Sequence, residues 1–197
     1  GARKMYGITF PDGLVKNQKL SKTILTPTTK ATQGEHDQPI TPAAIVKQGL
    51  LTQERWDELA QVSLDIFARG RELSAKRGLI LVDTKFEFGL DENGNVCLAD
   101  EILTPDSSRY WLQESYAKRM AAKENPKGLD KEFLRLWVNE HCDPYKDVIP
   151  EIPEDTLVEF AGRYIQLFEN VTGQEFVTDV PSTTILERIR TNLIKYF

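Results

Sequence analysis

The sequence contains only two cysteines and two histidines among its 197 residues. A disulfide framework needs more cysteines and a zinc site needs clustered ligands, so we expect Cys97 and Cys142 to be reduced, inert thiols. His141 ends a helix-like stretch, where an imidazole favours the negative end of the helix dipole, and we interpret it as structural. His36 lies in a polar loop, GEHD (34–37), and loops of this kind often carry function.

Long apolar runs and an excess of positive charge are also missing. No stretch approaches the roughly 20 apolar residues of a membrane span, and no signal peptide is visible. The net charge is −5, and no basic patch with interleaved aromatic residues occurs, which argues against a nucleic-acid partner. We therefore expect a soluble, cytoplasmic protein. With 40% hydrophobic residues, the chain is able to bury a core as one domain or one large lobe.

Glycine-rich phosphate loops are a third absence. The early glycines, Gly7 and Gly13, are spaced for neither G-x-G-x-x-G nor a P-loop, and no later cluster fits better. The sequence therefore contains no recognisable glycine-rich phosphate loop.

Charged residues do alternate with apolar ones in LILVDTKFEFG (79–89). Because side chains alternate between the faces of a strand, Asp83, Lys85 and Glu87 are predicted to share one face. Burying three unpaired charges would cost several kcal/mol each, so we expect this face to line a cleft that holds ions or a charged ligand. A plain alternative is that Asp83 and Lys85 form a salt bridge with each other on the surface.

A hairpin is predicted to follow this strand. Asn93-Gly94 is typical of a two-residue turn, and with that turn Glu87 lies opposite Asp100. Two facing carboxylates repel each other unless a cation lies between them, and Mg²⁺ is the natural candidate. The acidic spacing around the turn also resembles a calcium loop, but that loop fails because its sixth position is Val96 and its twelfth is Ile102.

Helical patterns occupy most of the remaining sequence. We expect a helix capped by Thr41 with Pro42 in its first turn, and a longer one that follows Thr52 and ends before Gly78. Further helices are predicted over 113–120, over 131–139 with Asp130 as cap, over 154–171, and from Thr184 with a capping box. The predicted core stripe of the fifth helix consists of Leu157, Phe160, Ala161, Tyr164, Ile165, Leu167 and Phe168.

Taken together, the polar segments resemble the SAICAR synthetase family. VDTKFEFG (82–89) is similar to the family's D-x-K-x-E-F-G signature, and it stands in order with TPTTK (26–30), GEHD (34–37), ADE (99–101), TPDSSR (104–109) and DKEFLRLW (130–137). The resemblance implies an α+β fold, an antiparallel sheet with flanking helices that is related to ATP-grasp and kinase folds. It covers residues 1–173 as a carboxy-terminal lobe, and we expect 174–197 to be an extension whose last helix packs on that lobe.

The family joins a carboxyaminoimidazole ribotide to L-aspartate with ATP, and the resemblance assigns roles to single residues. Glu87 and Asp100 are implied to hold Mg²⁺ at the nucleotide phosphates, and Lys85 with Asp83 to serve catalysis. The implied substrate-binding residues are Arg109, Arg135, Asp106, Ser107, His36 and Asp37. For Ser107, a purely structural role in the turn is an equal alternative.

One departure from the family concerns the upstream lobe, whose nucleotide loop, phosphate-contacting lysine and Arg-x-x-x-Thr-Gly-Ser segment do not occur in this sequence. We expect that lobe to be the chain's partner, while homo-oligomer formation stays open. Two other functions remain as alternatives. One is a phosphotransferase of the inositol polyphosphate kinase type, which Glu87 and the TPDSSR segment argue against, and the other is a non-catalytic domain that binds a purine intermediate.

Overall fold

A computed structural model describes residues 3–30, 37–178 and 182–196. Its strands are β1 Lys4–Met5, β2 Ile8–Thr9, β3 Leu79–Thr84, β4 Glu87–Leu90, β5 Val96–Ala99 and β6 Ser108–Leu112. Its helices are α1 Pro42–Lys47, α2 Gln53–Lys76, α3 Gln113–Ala121, α4 Glu132–His141, α5 Glu154–Thr172 and α6 Ile185–Leu193, followed by a 3₁₀ turn, Ile194–Tyr196. The predicted α+β class is confirmed, and within the described ranges the strands pair as β1 with β2, β3 with β6 and β4 with β5, all antiparallel.

The helix starts follow the sequence signals closely. The Thr41 hydroxyl accepts the Ala44 N–H at 3.1 Å, and the Thr52 hydroxyl accepts the Arg55 N–H at 3.2 Å. At α6, Thr184 and Glu187 form the predicted capping box. Each bond satisfies a backbone donor that the first turn of a helix leaves free.

The core lies where β3 and β6 pair against α2. It consists of Leu79, Leu81, Tyr110, Leu112, Leu129 and Leu167, with Phe67 and Leu103 packed against it. The ladder runs from Leu79 opposite Leu112 to Thr84 opposite Ser108, with a bulge between Leu81 and Asp83. The bulge breaks the strict alternation of the strand, so Asp83 leaves the buried side of Leu79 and Leu81 and lies opposite Arg109.

The hairpin of β4 and β5 has a different register from the predicted one. Glu87 pairs with Ala99, not with Asp100, because the loop holds three residues, 92–94, instead of two. The Asp91 carboxylate accepts both the Asn93 and the Asn95 N–H, and Gly94 adopts a φ of +79°. A three-residue loop that ends in a glycine of positive φ is a common alternative to the two-residue turn.

Helix α5 contacts the core through part of its predicted stripe. Leu167 is 2% exposed, and Arg163 donates to the Gly128 carbonyl at 2.9 Å while its guanidinium lies 3.8 Å from the centre of the Phe133 ring. The prediction was wrong for three positions of the stripe, Leu157, Ala161 and Phe168, which are exposed. Leu167 and Arg163 face the β6 side of the molecule, so those three positions lie beyond the reach of the small core.

Helix α6 is exposed along its whole described length, including Ile185 and Ile189. This differs from the expectation that the last helix packs on the lobe. Its capping box gives a local reason for the helix, independent of packing. Among the described residues, no helix combines the length and the apolar character that crossing a membrane requires.

Candidate functional site

A polar cleft of about 370 Å³ opens beside the end of β3 and the start of α4. Its walls come from segments that are far apart in sequence. The lining residues are Asp83, Thr84, Lys85, Glu87, Asp100, Glu101, Asp106, Ser107, Ser108, Arg109, Asp130, Lys131, Glu132 and Arg135. Seven of these side chains are acidic and four are basic, so the cleft carries a formal excess of three negative charges.

Asp83 and Arg109 form a two-bond ion pair across the β3–β6 ladder. Arg109 Nε donates to Asp83 Oδ1 at 2.9 Å, and Nη2 donates to Oδ2. The pair is half-exposed, and the hydrogen bonds that Arg109 donates to Asp83 raise the pKa of Arg109 above its ordinary value. The pair therefore fixes the direction of the guanidinium, which lines the cleft.

Lys85 and Glu87 belong to a chain of four alternating charges. Lys85 Nζ lies 2.9 Å from Glu87 Oε1 and 3.3 Å from Asp37 Oδ2, and Lys30 Nζ lies 2.5 Å from Glu87 Oε2. Hydrogen bonds from Lys30 and Lys85 lower the pKa of Glu87, and the bond to Glu87 raises the pKa of Lys85. Both groups are therefore charged near neutral pH. Lys85 pairs with Glu87 and Asp37, and Asp83 pairs with Arg109, in place of the Asp83–Lys85 salt bridge that the sequence left open as an alternative.

The TPDSSR segment forms a hydroxyl-rich turn at the cleft. Thr104 Oγ1 accepts the N–H groups of Asp106 and Ser107, and Ser108 Oγ donates to Thr84 Oγ1 at 2.9 Å. Lys85 N–H donates to the Ser107 carbonyl at 3.0 Å, which ties the turn to the strand. Ser107 thus has a structural role in the turn and also lines the cleft, so both interpretations of this residue stay compatible with the geometry.

The start of α4 contributes two cations. Lys131 Nζ lies 2.9 Å from Asp106 Oδ1, and Arg135 Nη1 lies 3.2 Å from Glu132 Oε2. Asp130, predicted as the helix cap, lies one residue before the capping position Lys131, yet its Oδ1 accepts the Glu132 N–H at 2.9 Å. The helix start therefore brings Lys131 and Arg135 to the side of the cleft opposite β3.

Asp100 and Glu101 form a pair of neighbouring carboxyls at the end of β5. Asp100 adopts a φ of +65°, which turns the chain out of the strand. A side-chain hydrogen bond with Asp100 raises the pKa of Glu101, as expected where the charge on one carboxyl disfavours ionisation of its neighbour. This turn brings Asp100 to the cleft that Glu87 also lines, although the two do not face each other in the ladder.

A metal ion would find carboxylate oxygens here but no complete protein cage. Within residues 3–30, 37–178 and 182–196, no group of three or more histidine, cysteine, aspartate or glutamate residues is placed to hold one. Mg²⁺ commonly uses one or two carboxylates and takes its other ligands from water and phosphate oxygens. The three excess negative charges of the cleft suit such an ion. To bind Glu87, the ion would have to displace Lys30 or Lys85.

The structure brings most of the predicted site residues to one place. Eight of them line the cleft: Asp83, Lys85, Glu87, Asp100, Asp106, Ser107, Arg109 and Arg135. Asp37 contacts Lys85 from the edge, and His36 lies outside the described residues. Sequence reasoning assigned no site role to six residues found here: Lys30, Thr84, Glu101, Asp130, Lys131 and Glu132. All six stand inside motifs that it quoted, so motif membership was the available signal.

The sequence of the chain is similar to that of known proteins. The family model for SAICAR synthetase matches residues 2–152. The phosphoribosylaminoimidazole-succinocarboxamide synthase of Legionella pneumophila (strain Paris) is 52% identical over 197 residues, which is all of this chain and 62% of that protein. The chain thus spans less than two thirds of the length of this relative.

Two solved structures are similar to the chain in fold. A SAICAR synthase from Saccharomyces cerevisiae complexed with SAICAR matches with a TM-score of 0.71 and 32% identity, over 88% of this chain and 54% of that one. A Type-2 SAICAR synthetase in complex with ADP matches with a TM-score of 0.61 and 26% identity, over 83% and 57%. From its sequence match and its fold, the chain belongs to the SAICAR synthetase family.

Proposed function

We propose that the complete protein containing this chain is an ATP-dependent ligase that joins carboxyaminoimidazole ribotide to L-aspartate, giving SAICAR, ADP and phosphate in purine biosynthesis. The observation that carries the proposal is the cleft itself. Motifs at 82–89, 99–101, 104–109 and 130–137 converge on it with both carboxylates and cations. The solved structures of relatives in complex with SAICAR and with ADP support the same substrate and nucleotide classes.

The cations of the cleft suit the binding of a ribotide. A guanidinium binds a phosphate through two parallel hydrogen bonds, so Arg109 and Arg135 are assigned to the ribotide phosphate. Lys85 is assigned to the ribotide carboxylate, where its charge, held by Glu87 and Asp37, offsets the negative charge that grows as the carboxylate reacts. Asp83 orients Arg109 by the two bonds described above.

The reaction proceeds in two steps. A carboxylate oxygen of the ribotide takes the γ-phosphoryl group of ATP, which forms an acyl phosphate and releases ADP. The amine of aspartate then attacks the acyl carbon, forms the C–N bond, expels inorganic phosphate and loses a proton. Catalysis rests mainly on holding the reactants close together and stabilising charge, because phosphoryl transfer needs little covalent help from the protein.

Glu87 and Asp100 are proposed to hold Mg²⁺ at the nucleotide phosphates, where the ion would supply positive charge. The acidic excess of the cleft supports this role, since ATP and the ribotide would otherwise meet seven carboxylates. Asp106, Ser107, His36 and Asp37 are proposed as further substrate-binding residues at the edge of the cleft.

We also propose a division of the protein. Residues 1–173 form the carboxy-terminal lobe, 174–197 form an extension, and the nucleotide base binds an upstream lobe that completes the site. The cleft of the described residues is lined by polar and charged residues alone, so it offers an adenine ring no apolar side chain to pack against. The cytoplasm is the proposed place of the reaction.

An ADP-release assay on the complete protein tests the function. We expect ADP release to require both ribotide and aspartate, and an inositol phosphate not to replace the ribotide. Lys85→Met should abolish turnover, whereas Lys76→Met, which removes a similarly exposed and ion-paired lysine on α2, should not. ADP release with an inositol phosphate alone would favour the phosphotransferase, and equal losses in the two variants would remove Lys85 from the reaction.

A further inference from the structure

Asp130 is a buried carboxylate at the wall of the cleft, next to three cations that it does not pair with directly. It is 1% exposed, and each of its oxygens accepts one backbone N–H. Oδ2 accepts from Tyr110 at 2.8 Å, and Oδ1 accepts from Glu132 at 2.9 Å. A buried carboxylate with both oxygens bonded to the backbone holds those two segments at a fixed separation.

The two segments carry the anion-binding side chains of the cleft. Tyr110 follows Arg109 in β6, while Glu132 opens α4 between Lys131 and Arg135. The segment leading to Asp130 also runs along β6, because Leu129 N–H donates to the Tyr110 carbonyl and Gly128 bridges Trp111. Asp130 is therefore the point at which strand β6 and helix α4 are joined through a single side chain.

We propose that Asp130 is a positioning residue that sets the distance between Arg109 on β6 and the Lys131–Arg135 pair on α4, and so matches the cleft to one phosphorylated substrate. This inference rests on the proposed function, because it takes the ribotide phosphate as the group that these cations bind. Asp130 does not act on the reacting atoms. Its role lies in the two backbone bonds that its oxygens accept.

The substitution Asp130→Asn separates this role from packing. The asparagine side chain has nearly the same shape, but it keeps one acceptor oxygen and presents an N–H₂ group to the second backbone donor. One of the two segments is therefore released while the volume of the site is retained. Leu129→Val is the matched control, since Leu129 is 0% exposed in the same segment and contributes packing alone.

Calorimetric titration of the complete protein with ribotide and, separately, with MgATP tests the proposal. We expect Asp130→Asn to raise the Kd for the ribotide by about tenfold or more and the Kd for MgATP by less than about threefold, since misplacement by a fraction of an ångström weakens aligned contacts. Leu129→Val should leave the ratio of the two affinities unchanged. In the wild type, the amide resonances of Tyr110 and Glu132 should shift when ribotide binds and stay in place with MgATP, a measurement that does not depend on how well a variant folds.

Equal weakening of both ligands, a selective loss in Leu129→Val as well, or unmoved Tyr110 and Glu132 resonances on ribotide binding would overturn the positioning role while leaving the ligase proposal intact. Failure of the wild type to bind the ribotide at all would overturn the proposed function and this inference together.

Discussion

Arg109 reaches the cleft with its guanidinium already oriented by Asp83. The two bonds of this pair are parallel, which is the geometry that a planar guanidinium also uses for a phosphate. A half-exposed pair of this kind contributes little to the free energy of folding because solvent screens it. The pair instead orients Arg109, because its two bonds hold the guanidinium in one rotamer before a ligand binds.

Arg109→Lys keeps the charge and removes the two-bond geometry. We expect the KM for the ribotide to rise by about tenfold or more, equivalent to roughly 1.4 kcal/mol, with little change for ATP. Steady-state kinetics of the complete protein with each substrate varied in turn provides the measurement. Equal losses for ribotide and ATP would instead indicate a structural role for Arg109.

Glu87→Gln tests the metal proposal. Mg²⁺-nucleotide affinity should fall, because an amide is a weaker ligand than a carboxylate for a hard cation. Because Glu87 lies opposite Ala99 in the hairpin, the substitution relieves no repulsion with Asp100, and we predict no gain in stability. Loss of the surface pairs with Lys30 and Lys85 should change the free energy of unfolding by less than about 1 kcal/mol. Glu58→Gln, which breaks an exposed pair with Arg55 on α2, serves as the control. Unchanged nucleotide affinity in Glu87→Gln would rule out Glu87 as the ligand.

The pKa of Asp130 makes a separate prediction about stability and pH. Burial raises the pKa of Asp130 above its ordinary 3.8, against hydrogen bonds from Glu132 and Tyr110 that lower it. The folded protein therefore retains a proton that the unfolded chain releases, and the free energy of unfolding falls as pH rises through the raised pKa. Urea denaturation of the complete protein from acidic to neutral pH should show the wild type losing stability relative to Asp130→Asn over this window. A wild type that gains stability relative to Asp130→Asn as pH rises would contradict the direction of the shift.

The sequence identified the charged residues of the site, but it did not show which of them pair with each other. Asp83, Lys85 and Glu87 were identified because charges in a strand-like run need a cleft, and the motif resemblance added Arg109 and the other site residues. Their partners depend on contacts between distant segments, such as Lys30 with Glu87, that no local pattern encodes. Asp130 shows the same limit: its role as a helix-start residue was visible, and its bond to β6 was not.

At the scale of elements, local caps predicted helix boundaries well and turns predicted strand registers poorly. Thr41, Thr52 and Thr184 each bond to the backbone of their own first turn, so the information lies within four residues. The β4–β5 register instead depended on one extra loop residue, selected by the Asp91 carboxylate. A slip of one residue exchanges the faces of a strand, which is why the predicted pairing of Glu87 with Asp100 failed.

Replacement of glycine by alanine is predicted to have opposite effects at two helical positions, Gly70 in α2 and Gly162 in α5. A Cβ at Gly70 would lie 2.7 Å from Leu103 Cδ1 and 3.0 Å from Leu81 Cδ2, so Gly70→Ala should destabilise the protein by about 1–3 kcal/mol. Gly162 in α5 has open space at the same point, so Gly162→Ala should stabilise by roughly 0.5–1 kcal/mol through helix propensity. Urea denaturation compares the two variants directly, and a stabilising Gly70→Ala would show that α2 does not pack this closely on the sheet.

For the molecule as a whole, the core is small and the surface is large. The accessible surface is 14746 Å², whereas a compact monomer of 22.5 kDa has about 9,500 Å² by the usual scaling with mass. Exposed aliphatic side chains include Val148 at 94%, Ile194 at 77% and Ile185 at 73%. Surface of this extent and character is typical of a lobe that packs against further protein.

The last prediction is that the 197-residue chain alone has no ligase activity. Turnover requires the base and phosphates of ATP to be held within reaction distance of the ribotide carboxylate. The base also needs a surface of apolar side chains, and the side chains that line the described cleft are all polar or charged. The relative from Legionella is longer by more than a third of its own length, which leaves room for that surface in a complete protein.

Because large apolar side chains remain exposed, the isolated chain should also associate or precipitate. An ADP-release assay with ribotide and aspartate, run on the chain alone and with the upstream lobe supplied, should show activity in the second case. Size-exclusion chromatography should then show a defined complex of the two parts in place of aggregates. Substantial turnover by the isolated chain would place the nucleotide site within the chain itself and would remove the upstream lobe from the mechanism.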